Sequence, residues 1–310
     1  MTYYPVGIPT LCRYEHFKRC VESLANNTHA DKTELVIGLD FPPSEKYREG
    51  YEKIKRYVNN IKGFAKVTVI RHKKNLGAAA NWRFVSEYIF ENYEAAIMSE
   101  DDNEFSPCFL DYMDKYLDFY KEAPSVLYIC GYSSFIYKKV QGVYAANAMS
   151  AWGCGTWRQK YKEIKEYNTI NNMKSILSNT SLSLKLFKKR PNSLNSIMNQ
   201  VQHKQVYGDA CTLCNCLLND KFSLFPNISL VKNWGNDGSG EHCKNDSRFA
   251  LQQLYDNPFF DFVYTEISEE KEVRSLLRKD YNKTLLLKIV IIVRYLIYRY
   301  TKIDILKSIC

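Results

Sequence analysis

Short apolar runs alternate with helix-length segments over the first hundred residues, and this alternation constrains the fold more than any other feature of the sequence. The apolar runs lie at 6–8, 34–40, 66–71 and 95–98. Segments of helix length separate them at 13–24, 44–60 and 78–92. Strands and helices that alternate in this way build βαβ units, so the sequence predicts an α/β fold with a mainly parallel sheet flanked by helices.

Polar residues follow each predicted strand. They are Thr10 with Arg13, Asp40, Arg71 with Asn75, and Glu100 to Asp102. Ligands of open α/β sheets bind at the carboxyl ends of the strands, so we expect these groups to line one binding cleft there, which we call the mouth. Ordinary turn chemistry would also account for each residue taken singly, Asn75 above all.

The acidic turn Ser99-Glu100-Asp101-Asp102-Asn103 follows the last of these strands. Adjacent carboxylates repel one another, and a divalent cation would stabilise them together. Hard oxygen ligands suit Mg²⁺ or Mn²⁺, which commonly bridge protein carboxylates to substrate phosphates. The alternative is a solvated turn that caps a helix at 107–122, since acidic residues favour helix N-termini.

Composition sets the class of protein. The 310 residues are 45% hydrophobic, enough for one large core or two moderate ones. The net charge of +9 is concentrated in residues 271–310, which suggests an anionic membrane surface or phosphate-bearing ligands as partners, and we expect no nucleic acid. The ten scattered cysteines and a strand close to Met1 predict a cytoplasmic protein with reduced thiols and no signal peptide.

The second half has a different pattern. Residues 161–205 are predicted to be helical and polar, with a break at 190–192, and to form an insertion. A helix is expected at 210–219, with Asp209 suited to its N-cap. The spacing of Cys211, Cys214 and Cys216 also invites a zinc site, but buried small apolar residues explain it better, because no second ligand pair lies nearby.

Four segments resemble, in order, those of family 2-like glycosyltransferases with the GT-A fold. They are Val6–Arg13, the turn from Ile97 to Pro107, Ser150–Trp157 with Trp152-Gly153, and Pro226–His242. The Glu-Asp-Asp form of the turn is similar to that of N-acetylglucosaminyltransferase I-like enzymes. The pair Cys154-Gly155 departs from the usual pattern, which bears on sugar specificity more than on fold.

The resemblance implies a nucleotide-diphosphate sugar donor with a bridging Mn²⁺ or Mg²⁺. Asp102 would be the principal metal ligand, and His242 would supply a further metal or phosphate contact. Asp209 would be the catalytic base of an inverting transfer. The remaining residues would bind the donor, with Asp40 at the uracil or ribose: Pro9, Thr10, Arg13, Asp40, Arg71, Asn75, Glu100, Asp101, Trp152 and Gly153.

The sequence predicts a GT-A domain over 1–270 and a basic amphipathic tail over 271–310. The domain comprises a nucleotide-sugar-binding half, 1–106, and an acceptor-side half, 107–270. The apolar run 285–298 contains Lys288 and Arg294 and is shorter than the roughly 20 residues of a membrane span. It fits a helix lying on the inner face of the cell membrane; packing on the domain, or on a second subunit of a homo-oligomer, is the alternative.

We therefore predict an inverting, metal-dependent glycosyltransferase of bacterial surface-polysaccharide synthesis. It would move a sugar, from a UDP-sugar by preference, to a glycan or lipid-linked acceptor. Two other classes stay open. A sugar-nucleotide nucleotidyltransferase would need a Gly-rich phosphate loop, which Pro9–Arg13 lacks. A non-catalytic carbohydrate-binding protein could stack sugars on Trp152, Trp157 and Trp234, but it would not need the acidic turn.

Overall fold

The computed structural model describes residues 2–137, 139–238, 252–281 and 284–301. In chain order the strands are β1 (Val6–Thr10), β2 (Glu34–Leu39), β3 (Lys66–Arg71), β4 (Ala95–Met98), β5 (Asn103–Phe105), β6 (Val126–Cys130), β7 (Val143–Ala146), β8 (Cys154–Trp157), β9 (Phe222–Pro226) and β10 (Val231–Asn233). The α-helices are α1 (Tyr14–Ala25), α2 (Arg48–Tyr57), α3 (Ala78–Asn92), α4 (Phe109–Tyr120), α5 (Arg158–Tyr167), α6 (Ile170–Ser178), α7 (Thr180–Lys189), α8 (Pro191–His203), α9 (Gly208–Asn219), α10 (Lys271–Tyr281) and α11 (Leu285–Thr301).

Eight strands form one twisted sheet in the order β3-β2-β1-β4-β8-β6-β9-β7. Strands β1 to β4 are parallel, and β8 is antiparallel to both β4 and β6. Strand β9 pairs parallel with β6, whereas β7 at the edge is antiparallel. The predicted α/β fold, a mainly parallel sheet flanked by helices, is confirmed.

Helices cover both faces of the sheet because the buried strands are apolar on both sides. On one face, Val85 and Ile89 of α3 pack against Val36 and Met98 of the strands. The other face is covered by α1, α2 and α4, whose buried residues include Phe17. Each such side chain contributes about 1.5–3 kcal/mol when it is fully buried.

The predicted elements of the first hundred residues are present with small shifts at their ends. Strand β1 continues to Thr10, and a 3₁₀ turn at Glu45–Tyr47 occupies the start of the segment that we predicted as one helix. The helix expected at 107–122 is α4. In the predicted helical insertion, α7 ends at the expected break and Pro191 takes the first position of α8, where its missing N–H is not needed.

A second apolar core lies within the helices of the second half. Helices α6, α7, α8, α9 and α11 share it, and together we call them the helical unit. Cys211 and Cys214 are buried in this core, whereas Cys216 packs into a different cluster beside the sheet. Burial raises the pKa of Cys211 and of Cys216 to about 12, so these thiols stay protonated and pack as small apolar groups.

The tail predicted from residue 271 is not separate from the rest of the chain. Ile291 and Tyr295 of α11 are fully buried in the helical unit, against α8 and α6. Arg294, one of the two cations within the predicted interfacial run, is buried as well and donates hydrogen bonds to Asn195 and Gln202 of α8. The alternative in which this helix packs on the domain therefore holds for one of its faces. None of the helices in the described ranges is long and apolar enough to cross a bilayer.

Candidate functional site

The acidic turn lies at the carboxyl ends of β1 and β4, where the sequence placed it. The backbone N–H of Ser99 donates to the carbonyl of Gly7 at 3.0 Å, which continues the pairing of β4 with β1. The Thr10 hydroxyl donates to Asp101 Oδ2 at 2.8 Å. Thr10 and the turn therefore meet at one edge of the sheet, because parallel strands end together there.

Arg13 neutralises part of the turn. Its guanidinium forms ion pairs with Asp101 and, at 2.8 Å, with Asp102 Oδ2. Both carboxylates are buried, and α4 has Cys108 at its N-cap without a side-chain cap. The alternative of a solvated turn that caps the next helix is therefore wrong.

The pKa shifts of Arg13 and Asp101 agree with this geometry. Burial by itself would lower the pKa of Arg13, but the Asp101 and Asp102 carboxylates outweigh it and raise that pKa. Burial raises the pKa of Asp101 even though Arg13 acts in the opposite direction. One guanidinium is thus not enough to offset the effect of burial on Asp101.

A segment from much later in the chain closes over the turn. Strand β10 pairs antiparallel with β5, and this brings Asn233 opposite Asn103. Asn233 Nδ2 donates to Asp102 Oδ1 at 2.6 Å, and the Trp234 N–H donates to the Asp102 carbonyl at 2.9 Å. A Cβ on Gly235 would lie 2.0 Å from Asp102 Oδ2, so only glycine allows this approach.

Glu100 is the acidic residue without a compensating donor. Within the described part of the chain, no group donates a hydrogen bond to its carboxylate. Burial, followed by the Asp102 and Asp101 charges, raises the pKa of Glu100 to about 8. The charge of Asp209 acts in the same direction, so α9 brings Asp209 within electrostatic range of the turn.

Asp209 itself is exposed and lies in the first turn of α9. The N-cap of α9 is Tyr207, because the helix begins at Gly208, earlier than predicted. The Asp209 carboxylate accepts a hydrogen bond from the N–H of Ala210 at 2.8 Å. Asp209 is therefore not the helix cap that local sequence suggested, and its carboxylate is exposed.

The turn can be tested for its fit to a divalent cation. No three His, Cys, Asp or Glu side chains in the described ranges form a protein-only metal cage. Mg²⁺ does not need one, because it is usually bound through one or two carboxylates together with substrate phosphates and water. Glu100 lacks a donor and is destabilised by its neighbours. The pair Glu100 and Asp102 therefore fits a hard cation.

Asp40 has a structural role that the sequence did not reveal. Its carboxylate accepts hydrogen bonds from the backbone N–H groups of Leu76 and Gly77, both at 2.9 Å, and from Asn75 Nδ2 at 3.1 Å. Asp40 is buried, with both oxygens engaged. It holds the loop that precedes α3, and direct contact of Asp40 with a uracil or ribose stays a prediction.

The other predicted site residues do not all lie at the acidic turn. Gly153 is required where it stands, since its φ is +66° and a Cβ there would lie 2.9 Å from Val231. The Trp152 ring packs edge-on against Tyr132, with their centroids 4.6 Å apart. Arg71 is exposed and donates to Asn59 at 2.7 Å instead of pointing at the turn. Pro9 lies in β1 beyond its last pairing with β4, and His242 lies outside the described residues.

Helix α1 contributes basic side chains that the sequence reading missed. His16 Nε2 lies 3.0 Å from Asp237 Oδ2, and the Arg19 guanidinium stacks 4.6 Å from the Trp234 ring centroid. Both contacts tie α1 to the closing segment. The spacing of Arg13, His16 and Arg19 by three residues was the available signal, because it places them along one side of a helix.

Comparison with known proteins gives structural similarity only. No protein-family model matches the chain, and no curated protein matches it in sequence. In fold it is similar to the mannosyltransferase PcManGT from Pyrobaculum calidifontis in complex with GDP-Man and Mn²⁺, with 12% identity and a TM-score of 0.38 over 52% of this chain and 46% of that one. It is similar to S. aureus TarS, with 13% identity and a TM-score of 0.38 over 57% of this chain and 34% of that one. It is also similar to S. aureus TarS 1-349 in complex with UDP, with 14% identity and a TM-score of 0.37 over 54% of this chain and 49% of that one. The chain thus matches less than half of the length of each.

Proposed function

We propose that this protein is a metal-dependent glycosyltransferase that moves a sugar from a nucleotide-diphosphate sugar, UDP-linked by preference, to a hydroxyl of a glycan or lipid-linked acceptor with inversion. One observation carries the proposal. The half-buried Glu100, whose carboxylate has no hydrogen-bond donor among the described residues, lies beside the Arg13-bound Asp102 and within electrostatic range of an exposed carboxylate, Asp209, on the helical unit. A sugar transfer of this kind needs a cation site for the departing diphosphate and a base for the attacking hydroxyl.

On the donor side, Glu100 and Asp102 would hold Mn²⁺ or Mg²⁺. The bound cation would offset the charge that develops on the departing diphosphate. Arg13 keeps the Asp102 carboxylate oriented, and Asn233 fixes its other oxygen. Thr10 does the same for Asp101.

Asp40 would act on the donor indirectly. By fixing Asn75 and the following N–H groups it defines the loop at the carboxyl end of β3, next to the end of β2. A loop held by several hydrogen bonds is suited to orient a nucleoside. Asn75, Trp152 and Gly153 are the further donor-binding residues in this proposal.

On the acceptor side, Asp209 would take the proton from the attacking hydroxyl. In an inverting transfer that hydroxyl approaches the anomeric carbon opposite the leaving diphosphate, and a carboxylate receives its proton as the bond forms. Asp209 is exposed, and among the described residues its carboxylate accepts only the backbone N–H of Ala210. A carboxylate with little other hydrogen bonding is free to serve this purpose.

The test is a panel of sugar nucleotides with Mn²⁺ and lipid-linked or glycan acceptors. Release of nucleoside diphosphate that depends on acceptor would support sugar transfer. Release of pyrophosphate from a nucleoside triphosphate and a sugar phosphate would instead identify a nucleotidyltransferase. Sugar binding without turnover of any donor would identify a carbohydrate-binding protein.

The metal assignment has its own test. Asp102→Asn keeps the shape of the side chain and an acceptor for Asn233, but it weakens a hard-cation site. We expect it to abolish Mn²⁺-dependent binding of UDP or GDP in calorimetry. The matched control is Asp31→Asn, an exposed carboxylate that precedes β2 at the opposite edge of the sheet. Undiminished metal-dependent binding in folded Asp102→Asn would contradict the assignment.

A further inference from the structure

Helix α11 has an apolar face that nothing in the described structure covers. Its members and their exposed fractions are Leu285 75%, Leu286 73%, Ile289 49%, Val293 39%, Leu296 42% and Tyr300 83%. Their spacing places them along one side of the helix, and we call them the α11 stripe. An apolar face of this extent on a folded helix marks an interaction site.

The opposite face of α11 is firmly docked. Ile291, Arg294 and Tyr295 are at most 1% exposed, and they pack on α8 and α6. The helix is therefore held in a fixed orientation by the helical unit. The stripe is thus presented outward by a folded support.

A basic basin adjoins the stripe. It is a broad cavity of about 890 Å³ at the border between the helical unit and α10. Its cationic lining residues are Lys188, Lys189, Arg190, Arg274, Arg278 and Lys288. Its lining carboxylates are Asp220 and Glu269, so the cations outnumber the carboxylates in the lining.

Internal ion pairs account for only part of this charge. Lys189 pairs with Asp220 at 3.0 Å, and Arg274 pairs with Glu269 at 2.7 Å. Neither Lys188 nor Arg278 has a carboxylate within ion-pair distance among the described residues. The basin therefore has positive charge available for an external anion.

Lys288 links the two features. It lines the basin and lies one turn along α11 from Leu285. Helix α11 contains no Asp or Glu. Apolar side chains bordered by cations match the layering of a bilayer surface, where acyl chains lie beneath phosphate headgroups.

We propose that the α11 stripe and the basic basin together form a docking face for an anionic phospholipid bilayer. The stripe enters the level of the upper acyl chains, and Lys188, Arg278 and their neighbours contact the headgroup phosphates. The charge complementarity of the basin selects this occupant over an apolar protein surface. The inference does not depend on the proposed sugar transfer.

The test uses the full chain and two pairs of point substitutions, because deleting α11 would expose the core around Ile291. Binding is measured by co-sedimentation with vesicles of phosphatidylcholine alone or mixed with phosphatidylglycerol. Lys188→Gln with Arg278→Gln should weaken binding to the mixed vesicles roughly 30-fold, since each cation near an anionic surface contributes about 1 kcal/mol. Leu286→Gln with Ile289→Gln should weaken it at least roughly tenfold and leave its salt dependence in place.

The matched control variants replace exposed side chains elsewhere on the molecule. Phe84→Gln removes a 44% exposed apolar side chain on α3, and Lys18→Gln with Lys53→Gln removes two cations from α1 and α2. Both should leave vesicle binding unchanged. Circular dichroism should find all variants folded, since every substituted side chain lies at the surface.

Three results would overturn the proposal. The first is equal binding of the stripe variants and the unsubstituted chain. The second is complete competition by inorganic phosphate at low concentration, which would make the basin a small-anion site. The third is self-association abolished by the stripe substitutions without any vesicle binding, which would assign the stripe to a second copy of the chain.

Discussion

The mouth at the ends of β1 and β4 and the helical unit are stabilised in opposite ways. The mouth is held by polar contacts between residues far apart in the sequence, such as Asn233 with Asp102. The helical unit is held by apolar packing around residues such as Ile197 and Ile291. Each region nevertheless contains one arginine that links its elements, Arg13 with two carboxylates and Arg294 with two amides.

This difference determines how chemistry and stability are coupled. In the mouth, Asp102 would bind the cation, and it also anchors the closing segment through Asn233. In the helical unit, Asp209 would carry out the proton transfer, and among the described residues its carboxylate has a hydrogen bond only with its neighbour Ala210. Substitutions should therefore change folding and binding together in the mouth, and change turnover alone at Asp209.

The largest expected effect is at Asp209. Asp209→Asn should lower kcat roughly 10²- to 10⁴-fold, the usual contribution of a general base, while donor Kd and thermal stability stay nearly unchanged. The matched control is Asp220→Asn, at the other end of α9, which should keep normal turnover. Near-normal turnover of Asp209→Asn would contradict its role as the base, and weakened donor binding with normal turnover would assign Asp209 to the donor site.

Arg13 should show the coupled behaviour of the mouth. Arg13→Gln leaves two buried carboxylates without their cation, so we expect the free energy of unfolding to fall by about 3–5 kcal/mol and nucleotide affinity to fall with it. Urea denaturation and calorimetry measure the two quantities. Lys18→Gln, a partly exposed position on α1, the helix that Arg13 precedes, should change stability by less than about 0.5 kcal/mol. A stable variant with weakened nucleotide binding would separate the two roles.

The smallest effect is expected at the second buried arginine. Arg294→Met preserves volume but leaves the Asn195 and Gln202 amides without their donor, at a cost of about 1–3 kcal/mol in unfolding free energy. Donor binding should be unchanged, because the substitution lies in the helical unit. Lys174→Met, an exposed change on α6, is the control and should be near neutral. A cost as large as that of Arg13→Gln would remove the contrast between the regions.

The fold was largely predictable because its signals are local. Strand β2 is indicated by a short apolar run and helix α2 by apolar residues at helical spacing, and the alternation of such segments then implies a parallel sheet. The position of the acidic turn followed from the end of β4 by the same reasoning. Resemblance to known motifs singled out the residues around Gly153 and Gly235 without revealing what they contact.

The contacts within the site were not predictable, since they depend on pairing across the chain. Nothing near Asp40 in sequence indicates that it holds the Asn75 loop. The partner of Arg13 could have been an external phosphate as readily as Asp101, and only the packing of α1 on β5 decides between them. The burial of Arg294 was not predictable for a related reason. Its helix is apolar on almost every side, so periodicity does not distinguish the inner face from the outer one.

The pairing of Asn233 with Asp102 also bears on biosynthesis, because the two residues are 131 positions apart. At the usual rate of translation, on the order of 10 s pass between the synthesis of one and of the other. During that interval β1 to β4 can leave the ribosome while the Asp102 carboxylate still lacks its cover. On the proposed function, a nascent chain that ends before Val231 should bind no nucleotide, and donor affinity would be acquired late in translation and as a single step.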